Sequence, residues 1–298
     1  MNLAAKRSGI SWPILVVGAI IVTVISLSVH VIMLQVWGVP FPDRTGVALW
    51  ANFLNVAIAV IALSTFYGLA RPQMTRWPTW LRWLVVALLF GSLKEVFRGN
   101  LMNGVVTTAW VFSFAQMIAP IAYSLILGAC VVWALPLVRN RALGIGAMLV
   151  AAAFMMFAVK PLVGFALSPL MQAVSALNHQ DVYPFPYGWH VLFWAYVTYL
   201  EPVMACFAAA ALVLPGLSPR PILRITQFSG LILCIKGALL PTLLFGFFNA
   251  RGLGIGMISE SQFLLEGLAL SVLVALIWPS ATRQVPRERR RAGFSAER

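Results

Sequence analysis

The sequence predicts an all-α integral membrane protein, a polytopic bundle of eight transmembrane helices with both termini in the cytoplasm. Composition, the number of apolar stretches and the placement of basic residues predict this class. Of the 298 residues, 61% are hydrophobic and 10% are charged, and the mean hydropathy is +0.91. Soluble domains carry about 25% charged residues, so this chain has too few to keep its apolar surface in water. Lipid is the solvent that fits the composition.

The apolar stretches set the number of predicted spans, because a helix needs about 20 apolar residues to cross a bilayer. The chain has eight such stretches, at about 12–38, 47–70, 79–100, 110–138, 142–160, 188–214, 225–249 and 257–280. The first is longer than the core of a signal peptide and is therefore predicted as a membrane helix. Segment 161–177 begins with a proline, which favours a kinked continuation of the fifth helix or a short interfacial helix. Residues 1–280 thus form one predicted domain, and 281–298 a basic tail.

The basic residues predict the orientation of the bundle. Fifteen of the 21 lysines and arginines lie at the termini and beside alternate connections: Lys6, Arg7, Arg71, Arg76, Arg82, Arg139, Arg141, Arg220, Arg224, Arg283, Arg287, Arg289, Arg290, Arg291 and Arg298. With eight spans they all fall on one side of the membrane, which the positive-inside rule assigns to the cytoplasm. The prediction is a multi-pass protein of the plasma membrane, the inner membrane of a bacterial cell.

The net charge of +13 also raises the question of partners. The chain has no basic face interleaved with aromatic residues, so nucleic acid is not an expected partner. The arginine-rich tail at 281–298 is predicted to be disordered and to lie against anionic lipid, with docking of a protein partner as the alternative.

Two charges are predicted near the middle of the bilayer, where ionisable groups are costly. Glu201 lies 13 residues into the sixth helix and Lys236 lies 11 residues into the seventh. At 1.5 Å per residue these depths are about 20 and about 17 Å, from opposite sides. An ion pair between the two is the simplest way to keep both. Such a pair either fixes helix packing or serves a proton or a substrate.

A second group of charges is predicted in the outer half of the bundle. Glu95 and Arg98 are neighbours on the third helix, and Glu266 lies on the eighth. We predict that these residues border an outward-opening polar cavity, together with Lys94, Lys160, Glu260 and His30. His190 shares a face of the sixth helix with Glu201, which suggests a proton path, although an interfacial histidine is the simpler interpretation.

For several other polar groups a structural role is expected. Arg98, Lys160 and Glu260 are each expected to extend to the membrane interface. Cys130, Cys206 and Cys234 are expected to pack between helices, and no spacing indicates a metal site or a cofactor. The glycines at 252, 254 and 256 indicate a turn, because no strand precedes them.

The segment Glu95-Val-Phe-Arg98-Gly99-Asn-Leu resembles part of the first motif of the CPBP family, the CAAX-protease-like intramembrane proteins, which has eight-helix members. In that motif, two adjacent glutamates are followed by three further residues and then by Arg-Gly. Leu93 and Lys94 stand at these positions, and Val131 stands where the histidine of the second motif would be. The resemblance therefore implies at most a degenerate relative without protease activity.

Three functions remain open at this point. A small-molecule carrier or substrate-binding protein, working in transport, is favoured because buried charges beside prolines are typical of transporter sites. A non-catalytic assembly or sensory subunit would use the same charges for packing. An intramembrane enzyme would use Glu95, Arg98, His190 and Glu266.

Overall fold

The computed structural model describes residues 9–134, 141–179 and 181–282, and within these ranges every regular element is helical. The predicted tail beyond residue 282 lies outside the described residues, as do Lys6, Arg7 and Arg139. The helices are α1 (Trp12–Val31), α2 (Leu49–Ala70), α3 (Thr79–Leu93), α4 (Val96–Thr107), α5 (Trp110–Ala129), α6 (Arg141–Phe154), α7 (Lys160–Val174), α8 (Trp189–Thr198), α9 (Leu200–Val213), α10 (Pro221–Lys236), α11 (Leu239–Leu244) and α12 (Leu253–Thr282).

Several of these helices join through short 3₁₀ or π turns into longer apolar rods. Within the described ranges, six rods are long and apolar enough to cross a membrane: Trp12–Val36, Leu49–Met74, Trp110–Ala134, Leu143–Leu177, Trp189–Gly216 and Leu253–Thr282. A seventh crossing is possible if Pro221–Lys236 and Leu239–Phe248, which meet at a bend of 78°, form one span. These apolar rods support a multi-pass membrane protein.

The predicted third helix, at 79–100, differs most from the structure. It is broken after Leu93, and a second helix runs from Val96 to Thr107. Glu95 connects the two with φ +59°, a left-handed conformation that non-glycine residues rarely adopt. No glycine or proline stands at the break, so the contacts of the neighbouring charges with other helices must hold it.

The predicted helix at 225–249 is also broken, and here the local sequence explains it. Gly237 has φ +66° and ends α10. The Ala238 N–H donates to the Leu233 carbonyl over 3.0 Å, the closing bond of a Schellman motif. Pro241 lies in the short helix that follows, where its missing N–H weakens any continuous helix.

The segment after Pro161 is a continuation of the fifth predicted helix, one of the two alternatives. A π turn at Met155–Val159 leads directly into α7, so the rod runs unbroken to Leu177. The wider turn accommodates the proline ring and its missing N–H without ending the helix.

The first and last rods share the most extensive helix–helix contact among the described elements and lie antiparallel. A Cβ atom at Gly18 would come within 2.6 Å of the Ile277 side chain, and His30 lies beside Phe263 at the other end of the pair. Small residues permit such close approach between membrane helices. The pair carries His30 and Glu266 into the interior, where the site lies.

Candidate functional site

The two helix breaks meet in the interior and bring four charged side chains together. Glu95 sits at the break between α3 and α4, and Arg98 lies one turn further on. Lys236 is the last residue of α10, and Glu266 lies on α12. We call these four residues the charge cluster. All have side chains at most 15% exposed.

Glu95 lies at the centre of the charge cluster. One carboxylate oxygen accepts a hydrogen bond from Lys236 Nζ and the other from Arg98 Nη1. The guanidinium of Arg98 also lies over the ring of Tyr199, 5.0 Å from its centroid. Two acids and two bases therefore offset one another, which keeps the buried charges balanced.

Lys94 provides a second contact between the two helix breaks, in addition to the bond between Lys236 and Glu95. Its ammonium donates to the Lys236 carbonyl over 2.8 Å, the last carbonyl of α10. The lysine beside each break thus reaches across to the other break. A cation at a helix C-terminus offsets the partial negative charge of its free carbonyls.

Glu266 forms the deepest part of the site, with 1% of its side chain exposed. The Tyr199 hydroxyl donates to its Oε1 over 3.0 Å, and Lys236 Nζ lies 3.9 Å from the same oxygen. Its Oε2 faces His30 Nδ1 at 3.8 Å, and neither of these two buried atoms has a hydrogen-bond partner among the described residues. At 3.8 Å the two atoms are too far apart for a direct hydrogen bond, so the carboxyl and the imidazole face one another without sharing a proton in this structure.

The predicted ion pair between Glu201 and Lys236 is wrong. The carboxylates within 4.0 Å of Lys236 are those of Glu95 and Glu266. Glu201 instead accepts hydrogen bonds from the backbone N–H groups of Phe97, over 3.3 Å, and Arg98, over 2.6 Å. These are donors of the first turn of α4, so Glu201 caps the helix that follows the break.

His190 and Glu201 line a common cavity of about 780 Å³, as their shared helix face predicts. Trp194 and Val197 line it too, with Trp110 and Tyr183 opposite. His190 is exposed and packs edge-on against Tyr183 at 4.4 Å. We call this space the mouth cavity. Its lining does not include Glu95, Arg98 or Glu266, so the arrangement expected for an intramembrane enzyme is divided between two places.

A second cavity, of about 450 Å³, opens onto the charge cluster itself. Arg44, Lys94, Glu95 and Lys236 line it, together with Asn55. We call it the polar cavity. Three bases and one acid line it, and its volume is in the range of small-molecule pockets.

Two of the side chains expected at the membrane interface are buried and paired. Arg98 is bound to Glu95 as described, and Glu260 is 3% exposed. Arg44 donates to both Glu260 oxygens, over 2.8 and 2.7 Å. This bidentate pair fastens the loop between α1 and α2 to α12. Lys160 is exposed and lies near the middle of the rod Leu143–Leu177.

Sequence reasoning did not select Tyr199 as a site residue, and it placed Lys94 and His30 at the predicted cavity without assigning them a role. Lys94 and His30 carry the general signal of a polar side chain inside an apolar stretch, but nothing in their spacing names their partners. Tyr199 has no such signal, because tyrosine is common in membrane helices. Among the described residues, no group of three or more potential metal ligands is present.

The chain matches no protein-family model, and comparisons with curated proteins and with solved structures find no similar protein.

Proposed function

We propose that the protein is a membrane carrier for a small anionic molecule, which binds in the polar cavity. The observation that carries this proposal is the meeting of two helix breaks at a buried charge cluster beside a cavity. Discontinuous helices of this kind form the substrate and ion sites of secondary transporters, where free backbone groups and charges face the ligand. A role in packing alone would not require a cavity at the charges.

The charges of the residues that line the polar cavity favour an anionic ligand. Lys94 and Lys236 both line it, and only Glu95 opposes them among its lining residues. A ligand carboxylate or phosphate that binds the two ammonium groups would compete with Glu95 for Lys236. In this proposal that competition couples ligand binding to movement of the two broken helices.

Proton coupling in this proposal belongs to Glu266 with His30. The predicted depth of Glu201 in the membrane favours it for this step. Both of its carboxylate oxygens, however, accept hydrogen bonds from the backbone of α4. One Glu266 oxygen faces the His30 imidazole and accepts no hydrogen bond from the described residues, and the carboxylate also lies near Lys236. A proton on Glu266 would weaken its hold on Lys236 and free the ammonium for the ligand.

We further propose eight crossings with both termini in the cytoplasm of the cell that carries the protein. The supporting observation is that α3 and α4 together follow the full length of α5: Trp83 donates to the Leu125 carbonyl, Gly91 lies against Ser124, and Asn103 donates to Ser113. Since α5 belongs to a rod long enough to span, the broken pair beside it crosses the same thickness.

The carrier proposal is tested in proteoliposomes that contain a pH-sensitive dye. Phosphate, succinate and pyruvate are added in turn, and lumenal pH is followed. We expect at least one of these anions to acidify the lumen with the wild-type protein. Glu266→Gln should abolish the acidification, because the amide cannot carry a proton in and out.

Two further variants give this experiment its controls. Lys236→Arg keeps the charge and should keep the fold while changing the apparent affinity for the anion. Arg251→Met removes an exposed base outside the cavities described above and should behave as wild type. Acidification that persists unchanged in Glu266→Gln, or a wild-type protein that moves none of the three anions, contradicts the proposal.

A further inference from the structure

A third cavity adjoins the polar cavity and has a different character. Its volume is about 750 Å³, and its walls come from α2, α3, α5 and the rod that contains α7. Arg44, Asn55 and Lys94 line both spaces, so the two share a wall. We call it the side cavity. Most of its lining is apolar, including Phe90, Tyr123, Met156 and Val163.

We propose that the side cavity binds an anionic amphiphile, with the anionic head at Lys94 and Lys160 and the apolar chain along Phe90, Tyr123 and Val163. This inference rests on the proposed function, because the head would lie at the shared wall and so at the entrance to the polar cavity. Beside the small anion of the polar cavity it adds a second class of ligand, a single-chain phosphate or carboxylate.

The charges of the side cavity favour an anionic head group. Three bases line it, namely Arg44, Lys94 and Lys160, and no acid is among its described lining residues. Arg44 is neutralised by Glu260. Lys94 donates to a backbone carbonyl, and no described carboxylate lies within 4.0 Å of Lys94 or Lys160. Two ammonium groups at the edge of an apolar space are costly without an anion.

The polar groups beside the lysines favour the same head group. The Asn55 Oδ1 atom is buried and finds no hydrogen-bond partner in the part of the chain that the structure describes. It faces the wall that the two cavities share, where a protonated phosphate oxygen or a head-group hydroxyl could donate to it. An unsatisfied buried acceptor costs about 1–3 kcal/mol in general, which makes its position beside Lys94 informative.

The shape of the side cavity favours an amphiphile. A free inorganic anion would use the lysines and leave the apolar wall empty, whereas an amphiphile fills both. Leu49 and Lys160, at the edges of the cavity, are exposed, so the space reaches the surface of the bundle that would face lipid. A chain already dissolved in the bilayer can enter sideways while its head stays near the lysines.

The test uses the full-length protein in phosphatidylcholine nanodiscs and follows the thermal midpoint Tm during titration. We expect dodecyl phosphate to raise Tm saturably, and inorganic phosphate or dodecyltrimethylammonium at equal concentration to leave it unchanged. Lys160→Met should weaken the apparent affinity for dodecyl phosphate by about ten-fold, since one charge-assisted contact is lost. Arg251→Met, which removes an exposed base outside the cavity, should leave the affinity unchanged.

A second variant tests the apolar wall. Val163→Trp fills the space proposed for the chain and should weaken dodecyl phosphate binding while the lysines remain. Equal Tm shifts with inorganic and dodecyl phosphate would overturn the amphiphile and leave a carrier of small anions standing. A dodecyl phosphate shift that is the same in wild type, Lys160→Met and Val163→Trp would overturn the side cavity as the site. Loss of anion-driven acidification in proteoliposomes, with amphiphile binding intact, would instead remove the proposed transport function.

Discussion

At the scale of single residues, Glu95 organises the interior. It accepts from Lys236 and Arg98, and its own backbone is left-handed. A left-handed conformation at a non-glycine residue costs about 1–2 kcal/mol, so side-chain contacts must outweigh that cost. The balance of charges suggests how: each acid of the cluster offsets one base, and removal of any single member leaves a buried charge without compensation.

This balance predicts strong coupling between Glu95 and Lys236. Glu95→Gln and Lys236→Met should each destabilise the protein by about 3–5 kcal/mol, because each leaves an unpaired buried charge. The double variant leaves Arg98 and Glu266 as a balanced pair and should recover much of the loss. Reversible unfolding in detergent micelles measures the three free energies.

The matched control is Glu201→Gln combined with Lys236→Met. Glu201 does not contact Lys236, so these two effects should add with a much smaller interaction energy. A double variant of Glu95 and Lys236 that is simply as unstable as the sum of its parts would show that the pair does not act as a unit.

At the scale of elements, the broken helices define the site, and the two breaks have different origins. Gly237 could be recognised in the sequence, because a glycine four residues before a proline is a common signal for a helix end. The break at Glu95 has no such signal. It depends on Lys236 from α10 and on Glu201 from α9, which are far away in the sequence.

Glu201 is therefore predicted to stabilise α4 as a capping residue. Glu201→Leu removes both acceptors from the first turn of α4 and should destabilise the protein by about 1–2 kcal/mol. Glu201→Gln keeps one amide oxygen as an acceptor and should cost less. Hydrogen exchange at the amides of Phe97 and Arg98 should rise in the leucine variant, and exchange on α12 should not. Equal stability of the two variants would mean that the cap contributes nothing.

At the scale of the whole molecule, the rods and the basic connections together predict which loops face which side. Thr45 and Ser175 lie at exposed positions in the connections outside the arginine-bearing set. Thr75 and Ser218 lie in the arginine-bearing connections. The proposed eight crossings place the first pair outside and the second pair in the cytoplasm. A span gained or lost between residues 45 and 218 would mix the two pairs.

Single cysteines at these four positions test the topology, on a background in which Cys130, Cys206 and Cys234 are alanine. A membrane-impermeant maleimide should label Thr45→Cys and Ser175→Cys in intact cells. Thr75→Cys and Ser218→Cys should be labelled only after the membrane is opened. Labelling of Thr75→Cys in intact cells would refute the orientation.

The sequence by itself determined the class of this protein and most of its apolar rods. The free energy of transferring a residue into lipid depends on that residue and its near neighbours. Composition and the length of apolar runs are therefore sufficient to predict a multi-pass helical protein. Only the tertiary structure decided the partners of the buried charges: Glu95 rather than Glu201 for Lys236, and the backbone of α4 for Glu201. Depth along a helix can be read from residue number, but a partner also depends on which helix lies beside it and how each is rotated. These are properties of packing among helices that no local pattern records.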